Sequence, residues 1–194
     1  KIPSHLQIPA DHLSFLGRGE IALAALEMCK NINFDQSKKT AVLTGPIDKA
    51  ACVEAGFSFG GQTEYFESIW DSPACMILAG PKLRVGLATN HLALKDVPSA
   101  ITKNGIVNKL KLLKQALRNQ WGIEQPNIAV CALNPHAGDG RLFGDEDEDI
   151  IVPAVEEANR LGIKTSGPIP ADTAFYQCYQ GAYDATLAMY HDQG

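Results

Sequence analysis

Apolar positions along the chain follow two rhythms. Ile106, Leu110, Leu113 and Leu117 recur at the spacing of one helical face, which predicts a long helix over residues 102–121 closed by Gly122. Short unbroken apolar runs predict strands at residues 40–44, 75–79, 84–89, 128–133 and 185–190, and Gly80-Pro81 joins the second and third into a hairpin. Further helices are expected over residues 18–32, with Ile21, Ala25 and Met28 on one face, from Gly45-Pro46 to Ala55, and near 63–70. Another opens on the acids Asp145, Glu146, Asp147 and Glu148, bends at Pro153 and ends at Gly162, and a last one covers residues 171–180. Residues 1–11, residues 57–62 and the stretch punctuated by Pro168 and Pro170 read as loops. Strands alternating with helices predict an α/β class, a three-layer α/β/α arrangement around a mostly parallel or mixed sheet.

Composition narrows the function. A chain of 194 residues with 45% hydrophobic residues has enough apolar material for a substantial core. A formal net charge of -5 and a pI near 5.5 argue against a partner bound through its phosphate backbone. The densest basic segment, Lys103 to Arg118, spreads five Lys or Arg residues around a helix with an apolar stripe, the pattern of a solvated face. Cysteines at 29, 52, 75, 131 and 178 form no CxxC pair and read as reduced core thiols. No apolar run reaches the roughly 18 residues of a membrane span, and no leader segment is recognisable, so a cytoplasmic setting is expected. The chain opens on KIPSHLQIP without an initiator methionine and stops just after a histidine loop, which reads as an excerpt with both ends cut.

Chemistry enters with the histidines. His91, His136 and His191 each follow a predicted strand, and in a parallel sheet such ends share one edge, where ligands of open α/β sheets bind. Neutral imidazole is a common ligand for zinc, cobalt or nickel, and three leave a position open for substrate. The alternative is that each ring bonds only within its own loop, since no local motif such as HExxH is present. His5 and His12 are expected to face solvent. Gly60-Gly61-Gln62-Thr63 offers backbone N–H groups at a helix start suited to phosphate, unless Thr63 merely caps that helix. Thr44-Gly45-Pro46 with Lys49 is a second, weaker anion candidate and is not a Walker loop. Asp172 and Asp192 could take up a proton or orient the histidines, although Asp172 also reads as a helix cap. The acids from Asp145 to Asp149 read as a helix start rather than a metal cluster.

These loops carry a resemblance. NHLAL at 90–94, LNPHAGDG at 133–140, GPIPADT at 167–173 and AMYHDQG at 188–194, together with TGPIDK and GGQTEYF, resemble the 4-hydroxythreonine-4-phosphate dehydrogenase family of pyridoxal phosphate (vitamin B6) synthesis, in order along essentially the whole chain. The resemblance implies a two-lobed α/β/α fold similar to isocitrate and isopropylmalate dehydrogenases, of which residues 1–194 are the central part. It implies a homodimer with the active site between lobes and subunits, and one metal ligand, His191, contributed across the dimer. It implies His91, His136 and His191 as ligands of a divalent ion, zinc first, with magnesium, cobalt or manganese as alternatives. Gln62 and Thr63 are implied as substrate-phosphate contacts, and Asp172 and Asp192 as the residues lining metal and substrate. The implied activity is oxidation of 4-phosphohydroxy-L-threonine by NAD or NADP with subsequent decarboxylation. Two departures matter: Gln62 stands where the family commonly has histidine, and the family's terminal segments, with a lysine and most nicotinamide contacts, are absent. A paralogue oxidising phospho-threonate or phospho-erythronate, a zinc hydrolase, or an inactive structural fragment are the competing expectations.

Overall fold

A computed structural model describes residues 17–32 and 41–194 of the chain, so the readings of His5, His12 and the opening loop lie outside the described residues. The chain divides into two compact units, Lys1–Ser72 and Pro73–Gly194.

The first unit is helical where it is described. Helix α1 spans Arg18–Glu27 and tightens into a 3-10 turn, Met28–Asn31, and α2 (Lys49–Glu54) and α3 (Gln62–Trp70) follow. Leu26, Cys52, Phe57 and Tyr65 form the core. The face that α1 buries is Gly19, Leu26 and Cys29, not the expected Ile21, Ala25 and Met28. Gly19 explains the rotation. A Cβ there would stand 1.9 Å from the Ala51 carbonyl oxygen, so α1 packs against α2 through backbone that only glycine permits. Gly19→Ala is expected to cost about 2 kcal/mol by overpacking, read as a lower denaturant midpoint.

The strand expected over residues 40–44 does not form. Residues 41–44 carry no strand, Leu43 is 99% exposed, and Thr40 lies outside the described residues. An apolar run becomes a strand only when a neighbour pairs its backbone, and the first unit holds no strand among its described residues. The helix after it starts at Lys49 rather than Pro46, because the Asp48 side chain caps it by accepting from the Ala51 amide at 3.1 Å.

The second unit is a five-stranded mixed sheet. Its strands are β1 (Ile77–Ala79), β2 (Arg84–Leu87), β3 (Ile128–Cys131), β4 (Thr165–Ile169) and β5 (Ala185–Ala188), in the order β1-β2-β5-β3-β4. The β1–β2 hairpin is antiparallel, with Ile77 opposite Gly86, and every other pairing is parallel. Between these strands run the helices α4 (Val97–Ala100), α5 (Lys103–Trp121), α6 (Val152–Arg160) and α7 (Ala171–Tyr179).

Strand alternation decides which helix covers which face. Ile128, Val130, Ala185 and Leu187 point to one side and pack against Ile106, Leu110, Leu113 and Leu117 of α5 and Ala154 and Ala158 of α6. Ala129 and Cys131 point to the other side, against Ala174 of α7. Helix, sheet, helix is the three-layer plan. The α5 N-cap is Thr102, whose hydroxyl accepts from the Gly105 amide at 3.1 Å, and Gly122 closes the helix at φ 69°.

Two local features depart from expectation. Pro168 lies inside β4 rather than in a loop, and β4 is an edge strand, where a missing N–H costs no ladder bond on the open side. The acidic segment forms a π turn, Asp147–Ile151, before α6 begins, so Pro153 sits in the first turn of a new helix instead of kinking an old one. No described helix is long and apolar enough to cross a membrane.

The cysteines are free. Burial pushes the Cys131 thiol up from 9.0 to about 12. The folded state therefore holds this proton more tightly than the unfolded chain does. Its contribution to stability is complete below pH 9.0 and is lost as the pH climbs toward 12. We expect Cys131 to resist alkylation in the native protein at pH 8 and to react at once in denaturant, as read by mass spectrometry.

Candidate active site at the carboxyl edge of the sheet

Four neighbouring parallel strands, β2, β5, β3 and β4, end on the same edge, and each delivers one of the expected residues. His91 follows β2, His191 follows β5, His136 follows β3, and Asp172 lies in the first turn of the helix after β4. The sheet therefore brings to one edge strand ends that are distant in sequence.

The β2–β5 pairing carries two of these residues together. Beyond the strands, the amides of Ala88 and Thr89 donate to the carbonyls of Ala188 and Met189 at 2.8 and 3.2 Å, and the buried Thr89 hydroxyl also donates to Met189 at 2.7 Å. The His91 and His191 rings come to lie 5.7 Å apart between centroids, tilted by 34°. His191 Nδ1 meets Asp192 Oδ1 at 2.8 Å. A neutral ring donating from Nδ1 keeps its Nε2 lone pair free, the arrangement by which a carboxylate orients a metal-binding imidazole. The donor chemistry of the pair thus fits a divalent ion. His136 is not gathered with it: among the described residues, no group of three His, Cys, Asp or Glu side chains stands in metal-holding geometry.

His136 sits in a loop of unusual backbone. His136, Ala137, Asp139 and Arg141 all have positive φ, at 53°, 56°, 42° and 77°, as do Gly138, Gly140 and Gly144. Left-handed conformations cost a non-glycine residue roughly 1 kcal/mol or more each, so surrounding contacts must hold the loop. The main clamp is Asp147, which is 0% exposed. Its two carboxylate oxygens accept from the amides of Leu133 and Asn134 at 2.9 and 3.0 Å, pinning the chain as it leaves β3. Asn134 in turn donates to Glu146 at 2.8 Å. Gly144 is required for its φ of 134°, and a Cβ there would also press on the side-chain ends of Glu146 and Asn134, at 2.6 and 2.7 Å.

On the solvent side Arg141 bridges Asp145 and Asp149. The Arg141 hydrogen bond holds the Asp149 carboxyl below its usual range, and the same bonds raise the guanidinium further. These groups are exposed, and such pairs contribute little on their own.

Asp172 is exposed, and its Oδ1 accepts from its neighbour's amide, Thr173 N, at 2.6 Å. The helix N-cap is Pro170, so Asp172 lies one step inside the first turn, where its charge favours the helix dipole. In the first unit, Gly61 and not Thr63 is the N-cap of α3. Gln62 Nε2 donates to the Gly45 carbonyl and Lys49 Nζ to the Gly60 carbonyl, both at 3.2 Å. The two anion-binding candidates are thereby stitched into one structure.

Sequence reading missed Asp147, because one acid among five neighbours that suit a helix start gives no sign of turning inward. It also passed over Gln193, whose carboxamide reaches β3; only its place in the AMYHDQG motif could have drawn attention to it.

The pyridoxal phosphate biosynthetic protein PdxA family model matches residues 16–194. The chain is 47% identical over 155 residues to the 4-hydroxythreonine-4-phosphate dehydrogenase of Erwinia tasmaniensis, covering 79% of this chain and 47% of that protein. It is 48% identical over 155 residues to the enzyme of the same name from Saccharophagus degradans, covering 79% and 46%. The crystal structure of 4-hydroxythreonine-4-phosphate dehydrogenase from Klebsiella pneumoniae superposes with a TM-score of 0.70 at 38% identity, covering 77% of this chain and 45% of that one. The chain thus spans about half the length of the curated relatives it matches. The sheet order, the histidine edge and this match agree, and the chain belongs to the PdxA family.

Proposed function

We propose that the chain is the central part of a two-lobed, metal-dependent NAD(P) oxidoreductase, working as a cytoplasmic homodimer, that oxidises 4-phosphohydroxy-L-threonine, with decarboxylation, in pyridoxal 5'-phosphate biosynthesis. The observation that supports it is the carboxyl edge, where His91, His191, His136 and Asp172 come from four consecutive parallel strands. His91, His136 and His191 are the residues to hold a divalent ion, with zinc first. When bound, such an ion supplies a Lewis acid that lowers the pKa of a substrate hydroxyl and offsets charge that develops as hydride leaves.

The chain's own groups prepare that chemistry. Asp192 sets the tautomer and direction of His191 through the Nδ1 contact, and its side chain, 91% exposed, is open to proton exchange with solvent. Asp147 and Gly144 fix the path of the His136 loop. Gln62 and Thr63 are the proposed phosphate contacts at the amino end of α3. Gln62 spends one amide hydrogen on Gly45 and keeps a second for a ligand, but it brings no charge.

That neutral group favours a second reading, a paralogue acting on phospho-threonate or phospho-erythronate. The test is NADH formation by the full-length protein with each of the three phosphorylated substrates. The highest kcat/KM on 4-phosphohydroxy-L-threonine supports the proposal, and a preference for either sugar-acid phosphate moves it to the paralogue. Hydrolysis without nucleotide reduction replaces it with a metal hydrolase.

A further inference from the structure

We propose that Gln193 is a positioning residue that sets the spacing between the strand ends carrying His136 and His191, by standing in for a rung that the sheet itself does not make. The inference rests on the site reading above for its purpose, but its geometry is independent of it.

Strands β3 and β5 run in parallel register as far as Val130 opposite Leu187. Beyond that point the next backbone bonds run to the outer strands. The Ala132 amide donates to Ile169 at the end of β4 at 2.8 Å, while the Met189 carbonyl accepts from Thr89 beyond β2. Among the described residues no backbone bond joins Met189 to Ala132, and the Met189 N–H and the Ala132 carbonyl bond to a side chain instead. The Gln193 carboxamide joins the two. Its Oε1 accepts from the Met189 amide at 2.6 Å, and its Nε2 donates to the Ala132 carbonyl at 2.7 Å.

A carboxamide has the planar donor and acceptor of a peptide unit, so it can replace one backbone rung. Met189 and Ala132 are both buried, at 0% and 2% exposure, and leaving their polar groups unmade would cost about 1–3 kcal/mol each. The bridge lies two residues before His191 and four before His136 in the respective chains. It thus ties together the two strand ends from which those imidazoles are carried. Leucine would supply neither bond. Glutamate would keep the acceptor for Met189 but turn a second acceptor against the Ala132 carbonyl.

The two variants separate the two bonds in the full-length protein. Gln193→Leu is expected to speed amide hydrogen exchange at Met189 by about tenfold or more in the metal-free protein, whereas Gln193→Glu leaves it slow. Both variants are expected to weaken Co2+ binding at least about tenfold and to shift its visible absorption bands, as loss of an orienting contact does. Should Gln193→Leu fail to fold, Gln193→Glu alone carries the Co2+ test. Unchanged Co2+ affinity and spectrum in either folded variant overturns the proposal, and so does unchanged Met189 exchange in Gln193→Leu. A wild-type protein that binds Co2+ in this way but reduces no NAD with any of the three substrates sinks the dehydrogenase reading and leaves the bridge standing.

Discussion

Replacing His136 with alanine in the full-length protein is expected to lower turnover by about three orders of magnitude and to release most of the bound divalent ion. Lewis-acid stabilisation of a developing charge contributes several kcal/mol, and about 4 kcal/mol corresponds to that loss in rate. The substitution isolates chemistry from folding. Alanine keeps the Cβ, so the left-handed backbone at φ 53° is no more strained than before. What is lost locally is the loose contact with Phe143, whose ring centroid lies 6.4 Å from the imidazole. Thermal stability of the metal-free protein should therefore stay near wild type while metal content, measured by atomic emission, and NADH formation fall together. Wild-type metal content and turnover in this variant would falsify the three-histidine site.

Asp147→Ala should act in the opposite way, through structure. The carboxylate is fully buried and holds two backbone amides with its two oxygens. Truncation leaves both N–H groups without their partner in a site closed to water, at about 1–3 kcal/mol each, and the charge-assisted character of the lost bonds puts the total near 4 kcal/mol. The denaturant midpoint should fall accordingly. Activity of the remaining folded protein should also drop, because the segment leading to His136 loses its anchor. Asp147→Asn is a graded control: it keeps one acceptor, so a smaller loss of stability is expected. Asp149→Asn, on the exposed Arg141 bridge, should leave the midpoint where it is. If Asp147→Ala and Asp149→Asn behave alike, the buried clamp is not what holds the loop.

Periodicity and punctuation were enough to read most elements of the second unit. The stripe Ile106, Leu110, Leu113, Leu117 is a one-sided pattern, and all four side chains are buried on the sheet. Thr102 and Gly122 mark the ends of that helix because capping is a local matter between neighbouring backbone groups. The same holds for the 128–133 run and for the places of His91, His136 and His191 just after strands. In the first unit the local signal misled more often. The face expected for α1 left out Gly19, which is a contact surface, and residues 41–44 had strand composition without a strand beside them among the described residues.

By itself the sequence determined the α/β class, the place of His91, His136 and His191 at strand ends and, through its loop motifs, the family to which the chain belongs. Only the tertiary structure decided that β2, β5, β3 and β4 lie side by side and point one way, so that those ends share an edge. It also decided that Asp147 turns inward from an acidic run, that Pro168 belongs to an edge strand, and that Gln193 spans the gap between β3 and β5. The physical reason is the range of the interactions. Hydrophobic spacing and caps report what a residue's near neighbours require, whereas strand order, a buried carboxylate's partners and a side-chain rung depend on backbone groups contributed from elsewhere in the chain.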